Sequence, residues 1–174
     1  MFLLVAAEAT LFGCLFGTYF YLRFSHAHWP PPGIPKPDVA VFLVLAGVLL
    51  LTSIPMQLAA SAALRGRVGA AWLAIAVALV VQAGYFAYAI HSFLGDLDKF
   101  TPQQSAYGSI YYTLLGADHF HVAVGLLLNL WLLVRLATGL TNYRLTGVRA
   151  TTVYWHFVNV LTLCVTGAIL SAAA

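Results

Sequence analysis

Charged residues are scarce in this chain. Of its 174 residues, eight are Lys or Arg and five are Asp or Glu, so the charged fraction is 7%, whereas soluble domains carry ~25%. The hydrophobic fraction is 62%. These values exclude a water-soluble globule, and they also exclude a disordered chain, which combines low hydrophobicity with high charge. The composition therefore predicts an all-α integral membrane protein, a polytopic bundle of transmembrane helices.

Sequence patterns typical of several other functions are also missing. The two cysteines, Cys14 and Cys164, lie inside apolar segments, so we expect free thiols that pack as small hydrophobic side chains. The net charge is +3, but the cations occur singly or in pairs beside apolar runs, as in membrane proteins, which argues against nucleic-acid binding. No nucleophile–base triad, phosphate-binding glycine loop or CxxC pair occurs, so a stand-alone catalyst is not predicted.

Five apolar stretches are each long enough for the ~20 residues that a membrane crossing needs. They cover residues 1–24, 39–64, 69–94, 107–136 and 150–171. The segment His26–Pro37 between the first two contains five prolines and cannot be helical, because proline removes a backbone donor and fixes φ. Pro55 predicts a kink in the second stretch. We interpret residues 1–174 as a single transmembrane domain of five helices.

The cations are unequally shared between the two ends of such a bundle. Arg65, Arg67, Arg135, Arg144 and Arg149 lie at the end that holds the N-terminus, and Arg23, Lys36 and Lys99 lie at the other. Because cytoplasmic loops are enriched in Lys and Arg, this distribution predicts a cytoplasmic N-terminus and a C-terminus outside.

Glu8 is an ionisable residue within the first apolar stretch. At 1.5 Å per residue it lies about 10 Å along its helix, where a charged side chain costs at least ~2.5 kcal/mol. Two interpretations are open. Glu8 is either a hydrogen-bonded carboxyl packed between helices or a carboxyl that handles protons and reacts with inhibitors.

The fourth and fifth stretches also carry polar residues at membrane depth. His119 and His121 resemble a metal motif, but residues two apart on a helix point ~200° from each other, so no metal site is predicted. Asp118 and His121 are three apart and share a face, which predicts a buried hydrogen-bonded pair. His156 and Asn159 have the same spacing. We expect Asp118, His121, His156 and Asn159 to form a polar stripe that joins these two helices by hydrogen bonds.

Five short motifs in chain order resemble those of subunit III of the haem–copper oxidases, the cytochrome c oxidase family. The similar residues are Glu8 with Phe12 and Phe16; Trp29, Pro31 and Gly33 in the proline-rich loop; Thr52 and Ser53; Tyr107, Gly116, His121 and Gly125; and Tyr154, Trp155, His156 and Phe157. The matches extend over nearly the whole chain. This family commonly has seven helices, and a shorter form lacks the first two, so the chain is similar to the short, five-helix form.

The resemblance implies a non-catalytic core subunit of a terminal oxidase in a bacterial or archaeal plasma membrane. Such a subunit binds no haem or copper, which the partner catalytic subunits carry. It packs on subunit I beside subunit II and a small subunit IV, binds phospholipid, and supports proton uptake during oxygen reduction. Glu8 matches the family's buried, carbodiimide-reactive carboxylate.

Three residues depart from the family pattern. Asp118 stands where the family usually has histidine, His119 where it has glycine, and Asn159 where it has aspartate. If Asp118 and Asn159 face each other, one carboxylate has moved from the fifth helix to the fourth.

Alternative functions stay open at this point. Within the family, the chain could serve a quinol oxidase or accompany a nitric oxide reductase. A small proton or solute transporter predicts a water-lined path through Glu8, Asp118, His121 and His156. A membrane haem protein predicts axial ligation by His121 and His156.

Overall fold

The chain folds into helices only, over the residues that a computed structural model describes, 2–139 and 141–173, with the side chains of residues 2, 4, 142 and 143 excluded. The helices are α1 (Phe2–Ser25), α2 (Val39–Leu51), α3 (Ser53–Leu64), α4 (Val68–Leu97), α5 (Ala106–Leu136) and α6 (Asn142–Leu170). Because α2 and α3 form one continuous span, five helical stretches are long and apolar enough to cross a membrane. The predicted fold class is confirmed.

A polar side chain caps the first turn of three of the described helices. The Asp38 carboxylate accepts hydrogen bonds from the amides of Ala40 and Val41 at 2.9 and 3.2 Å. Ser105 caps α5 at Gly108, and Thr141 caps α6 at the third residue of that helix. Each cap satisfies a backbone N–H that has no partner within its own helix.

The second span is interrupted three residues before the predicted kink. Pro55 lies within the first turn of α3, and the break falls at Thr52. Since proline has no N–H, Pro55 cannot bond to the carbonyl of Leu51 four residues earlier, and α2 ends at that residue. The Thr52 amide bonds instead to Leu49, a tighter i→i−3 turn, at 3.1 Å.

Two helix boundaries differ from those predicted. Helix α4 continues to Leu97, so Asp96 is helical, whereas we expected a loop from residue 95. Helix α6 begins at Asn142 and not near residue 150. Hydropathy locates the apolar part of a helix, but backbone hydrogen bonds extend it through polar residues until a cap or turn ends it.

Helices α5 and α6 occupy the middle of the bundle. Helix α5 contacts α1, α4 and α6, and α6 additionally contacts α1, α2 and α3, whereas α1 contacts only α5 and α6 among the described helices. The proline-rich loop folds back onto this bundle. The Trp29 ring packs edge-on against Tyr19 and Tyr107, with centroids 5.7 and 5.1 Å away. Pro31 begins a turn closed by Ile34, and Gly33 adopts a φ of 92° that favours glycine.

Candidate functional site

Glu8 and His121 form a pair between α1 and α5. The Glu8 Oε2 atom lies 2.9 Å from His121 Nε2, and the side chains are 24% and 8% exposed. The other ring nitrogen, Nδ1, lies 2.7 Å from the carbonyl oxygen of Ala117. The edge of the Phe12 ring closes one side of the imidazole at a centroid distance of 5.3 Å. Both nitrogens of His121 are therefore engaged by protein groups.

The hydrogen bonds of His121 place one proton between the two side chains. A carbonyl oxygen only accepts, so Nδ1 donates to Ala117 and carries a hydrogen. A neutral imidazole then accepts the Glu8 proton at Nε2, whereas an imidazolium donates from Nε2 to the Glu8 carboxylate. The pair has no net charge in either state, and this neutrality lowers the cost of two ionisable groups at membrane depth.

A hydrogen bond from Thr162 joins Asp118 to α6. The hydroxyl of Thr162 donates to Asp118 Oδ1 at 2.7 Å, and Asp118 is 2% exposed. The predicted Asp118–His121 hydrogen bond is therefore wrong. The two residues share the spacing of one helix face, but neighbouring helices supply a separate partner to each, Thr162 from α6 and Glu8 from α1.

His156 and Asn159 connect α6 to α3. The amide of Asn159 donates to Ser53 Oγ at 2.7 Å. His156 Nδ1 lies 3.2 Å from the same hydroxyl, and Nε2 lies 3.3 Å from Gln57 Oε1. The predicted stripe of four residues between α5 and α6 is thus divided over three interfaces. Asp118 bonds to Thr162 on α6, whereas Asn159 bonds to Ser53 on α3. The two residues are not paired with each other, so the structure does not show a carboxylate that has moved from α6 to the facing position on α5.

Aromatic residues of the motif from Tyr154 to Phe157 bond and pack α6 against its neighbours. Trp155 is fully buried, and its indole N–H donates to Thr52 Oγ1 at 2.8 Å, where α2 and α3 meet. The Tyr154 hydroxyl donates to the carbonyl of His121 at 3.2 Å. Phe157 is half-buried against the core.

The two glycines that the sequence singled out on α5 have different surroundings. A Cβ built on Gly125 would meet the Trp155 ring at 2.5 Å, whereas one built on Gly116 meets nothing within 4 Å. Of these two glycines, only Gly125 leaves room for a side chain of α6 to approach the α5 backbone closely.

A buried carboxamide pair was missed at the sequence level. Asn129 Nδ2 donates to Gln82 Oε1 at 2.8 Å, and both residues are fully buried. This bond joins α4 to α5. The available signal was one uncharged amide in each of two apolar runs, since such groups need a partner in hydrocarbon.

The described residues contain no group of three or more His, Cys, Asp or Glu side chains that could hold a metal ion. His121 and His156 lie at different interfaces, and both ring nitrogens of each contact protein groups. The four residues proposed for a transport path bond within three separate interfaces. The geometry favours neither the haem-protein nor the transporter alternative.

Comparison with protein families gives a match over almost the whole chain. The family described as cytochrome c oxidase subunit III matches residues 1–169. The chain belongs to this family. The resemblance recognised in the motifs is confirmed, and the match covers every helix that contributes to the polar pairs described above.

Relatives of this subunit III chain serve oxidases of two kinds. It is 32% identical over 162 residues to cytochrome c oxidase subunit 3 of Bacillus subtilis, covering 91% of this chain and 78% of that protein. It is 30% identical over 165 residues to cytochrome bo(3) ubiquinol oxidase subunit 3 of Pseudomonas aeruginosa, covering 94% and 78%. Quinol oxidase subunit 3 of Bacillus subtilis is 27% identical over 163 residues, covering 90% and 78%.

Proposed function

We propose that this chain is a non-catalytic subunit of a haem–copper terminal oxidase in a bacterial or archaeal plasma membrane. The observation that carries the proposal is the family match from residue 1 to residue 169. Electrons from cytochrome c or a quinol reduce oxygen at haem and copper held by the partner catalytic subunits. This chain contributes contacts, bound lipid and durability during turnover, as one transmembrane domain.

A polar patch on the bundle surface supports packing on subunit I. Gln57 is exposed on α3 beside His156, between the exposed apolar side chains Ile54 and Leu58. Its amide oxygen faces His156, and its NH₂ group has no hydrogen-bond acceptor among the described residues. Lipid tails cannot accept hydrogen bonds, so a polar group exposed at this depth favours a protein neighbour. We assign this patch to the contact with subunit I.

An apolar groove between α3 and α4 supports phospholipid binding. Its volume is about 550 Å³, and it is lined by Pro55, Leu58, Leu73 and Val77 among others. Arg65 and Arg67 lie at one end, exposed and without an acidic partner in the described part of the chain. An acyl chain fits the apolar part, and the two guanidinium groups suit a phosphate headgroup.

Lipid retention tests the groove. Phospholipid is quantified by mass spectrometry after gentle purification of the complex, and R65Q/R67Q is compared with R149Q, which removes an exposed arginine of α6. We expect less retained anionic lipid in the double variant only. Equal retention in all three proteins contradicts the assignment.

We propose that Glu8 protects the oxidase from inactivation during sustained turnover. In E8A, His121 loses its partner at Nε2 while it remains buried, so we expect normal haem spectra and normal initial oxygen consumption but earlier inactivation. E8Q retains a hydrogen-bonding group and serves as the matched control, with inactivation closer to that of the wild type. Loss of haem from E8A would contradict a role outside the redox centres.

Purification through a tag on this chain tests the whole proposal. We expect a haem-copper catalytic subunit to co-purify and its haem signals to persist after this chain is removed. The optical spectrum then also identifies the type of oxidase and its donor. A colourless chain recovered alone, active in transport after reconstitution, would overturn the proposal.

A further inference from the structure

Two adjoining cavities lead towards Asp118 from one end of the bundle. This is the end at which α4 finishes at Leu97 and α5 begins at Ala106, and we call it the α4–α5 end. The outer cavity has a volume of about 170 Å³ and the inner one about 40 Å³. The two cavities share five lining residues, and these are Val41, Phe42, Ser92, Asp96 and Tyr111. Because the same side chains border both, the cavities adjoin each other, and together they are bounded by α2, α4, α5 and α6. We call these two cavities the inlet.

Polar as well as apolar side chains line the inner cavity. Its polar lining residues are Tyr85, Ser92, Asp96, Tyr111, Asp118, His119, Thr162 and Thr166. Asp118 Oδ1 accepts from Thr162, and Oδ2 has no hydrogen-bond partner among the described residues. A buried water needs ~10–15 Å³ of such space and two to four polar partners. The inner cavity, at about 40 Å³, exceeds this volume, and its wall includes polar side chains beside Asp118.

The mouth of the inlet is charged. Lys36, Asp38 and Lys99 line the outer cavity together with Asp96. Lys99 Nζ bonds to Asp96 Oδ1 at 2.8 Å. This hydrogen bond and the negative charge of Asp96 raise the pKa of the Lys99 ammonium above its ordinary value. Tyr111 donates to the other Asp96 oxygen at 2.7 Å, so Asp96 joins the mouth to the inner wall.

The inlet ends at Asp118, about halfway through the membrane. Asp118 lies twelve residues from the start of α5, or about 18 Å at 1.5 Å per residue, against a hydrocarbon thickness of ~30 Å. One turn further along α5, beyond the Glu8–His121 pair, the bundle has an apolar core cluster. Its fully buried side chains are Met56, Ala78, Val122, Trp155 and Val158. Of the two carboxyls that line the inner cavity, Asp96 and Asp118, Asp118 lies further from the α4–α5 end.

We propose that water fills this inlet and that the Asp118 carboxyl exchanges its proton with the aqueous phase at the α4–α5 end. Each proton that leaves the carboxyl passes to an inlet water, and one returns from the solution through the same waters. The titratable groups nearby are Tyr85 and Asp96 from α4 and Tyr111, His119 and His121 from α5. Helix α6 offers only hydroxyls, and α2 only apolar side chains. The inference rests on cavity geometry and is independent of the oxidase role.

Hydroxyl-radical labelling of the complex in lipid nanodiscs measures where water lies. Leu115 and Val165 line the inner cavity only, Phe42 lines both cavities, and Leu127 is exposed on the membrane-spanning part of α5. We expect labelling of the first three and none at Leu127. In A46L, the larger side chain fills the inner cavity, so labelling of Leu115 and Val165 should fall at least about tenfold while that of Phe42 persists.

The matched control is A40L, which makes the same change at an exposed position of α2 outside the inlet. Its labelling should equal that of the wild type. S92A removes a polar wall group with little change in volume, and it should lower the labelling of Leu115 and Val165 if A46L fails to assemble. Unlabelled Leu115 and Val165 in the wild type would overturn the inlet, as would labelling that A46L and S92A leave unchanged.

Infrared spectroscopy tests the proton exchange at Asp118. The carboxylic acid band that disappears in D118N is followed after transfer to D₂O. We expect a rapid shift in the wild type and in A40L and a slower one in A46L. If D118N removes no band that shifts in D₂O, or if A46L exchanges as fast as the wild type, proton exchange through this inlet is overturned.

Discussion

Gly125 and Gly116 lie on the same helix and face different neighbours. The Trp155 ring occupies the space in which a side chain at Gly125 would lie, and its indole is fixed by the bond to Thr52. Gly116 has open space beside it. The family motif includes both glycines, but the neighbouring helix determines which of them has no room for a side chain.

We predict that G125A destabilises the bundle by about 1–3 kcal/mol, because the new methyl group overlaps the indole and neither can move without disturbing a packed core. G116A is the matched control. It replaces glycine in a helix interior at no steric cost, so its stability should be unchanged or raised by up to about 1 kcal/mol. Thermal unfolding in detergent measures both, and equal midpoints for the two variants would contradict the prediction.

Helix ends were readable from short polar signals where those signals directly precede an apolar run. Asp38 and Ser105 are such residues, and each caps the helix that follows. The break at Thr52 was read less accurately, because the effect of Pro55 falls on the carbonyl four residues earlier. The ends at Leu97 and Asn142 were missed because the helices continue into polar sequence.

At the start of α2, we predict that D38A lowers stability by about 1 kcal/mol, since the amides of Ala40 and Val41 lose their acceptor. D38N keeps a capping oxygen and should cost much less. Thermal unfolding compares the two variants with the wild type. If both substitutions cost the same, the Asp38 contribution is its charge and not the cap.

For the buried amide pair between α4 and α5, we predict that the stability costs of replacing Gln82 and Asn129 are strongly non-additive. Q82L leaves Asn129 Nδ2 without its acceptor, and N129L leaves Gln82 Oε1 without its donor, so each should cost about 1–3 kcal/mol. Gln82 Nε2 and Asn129 Oδ1 are already buried without a partner in the described part of the protein. The double variant Q82L/N129L removes all four polar atoms and should be more stable than either single variant.

A double-mutant cycle measured by thermal unfolding checks this prediction. Additive costs, with the double variant less stable than both single ones, would mean that the two amides do not interact energetically across the α4–α5 contact.

For the whole molecule, the cation distribution predicts a cytoplasmic N-terminus and an external C-terminus. An alkaline phosphatase fused after residue 173 should therefore be active, because that enzyme folds only outside the cytoplasm. The same reporter fused after Arg67, at the opposite end of the bundle, should be inactive. The reverse pattern would contradict the predicted orientation.

The sequence alone determined that this protein is a five-span helical bundle of the subunit III family. The reason is physical: in hydrocarbon every backbone donor and acceptor must be satisfied within its own helix, so a long apolar run has one available structure. Motifs such as the one from Tyr154 to Phe157 are local in sequence and identify the family without knowledge of the packing.

Only the tertiary structure decided how the polar side chains pair. Helix spacing placed Asp118 and His121 on one face, but their partners, Thr162 and Glu8, come from helices distant in sequence. Those partners depend on the rotation and depth at which each helix packs, which local spacing does not specify. Gln82 with Asn129, Trp155 with Thr52 and the inlet to Asp118 arise in the same way, because a buried polar group bonds to whichever partner the neighbouring helix brings within reach.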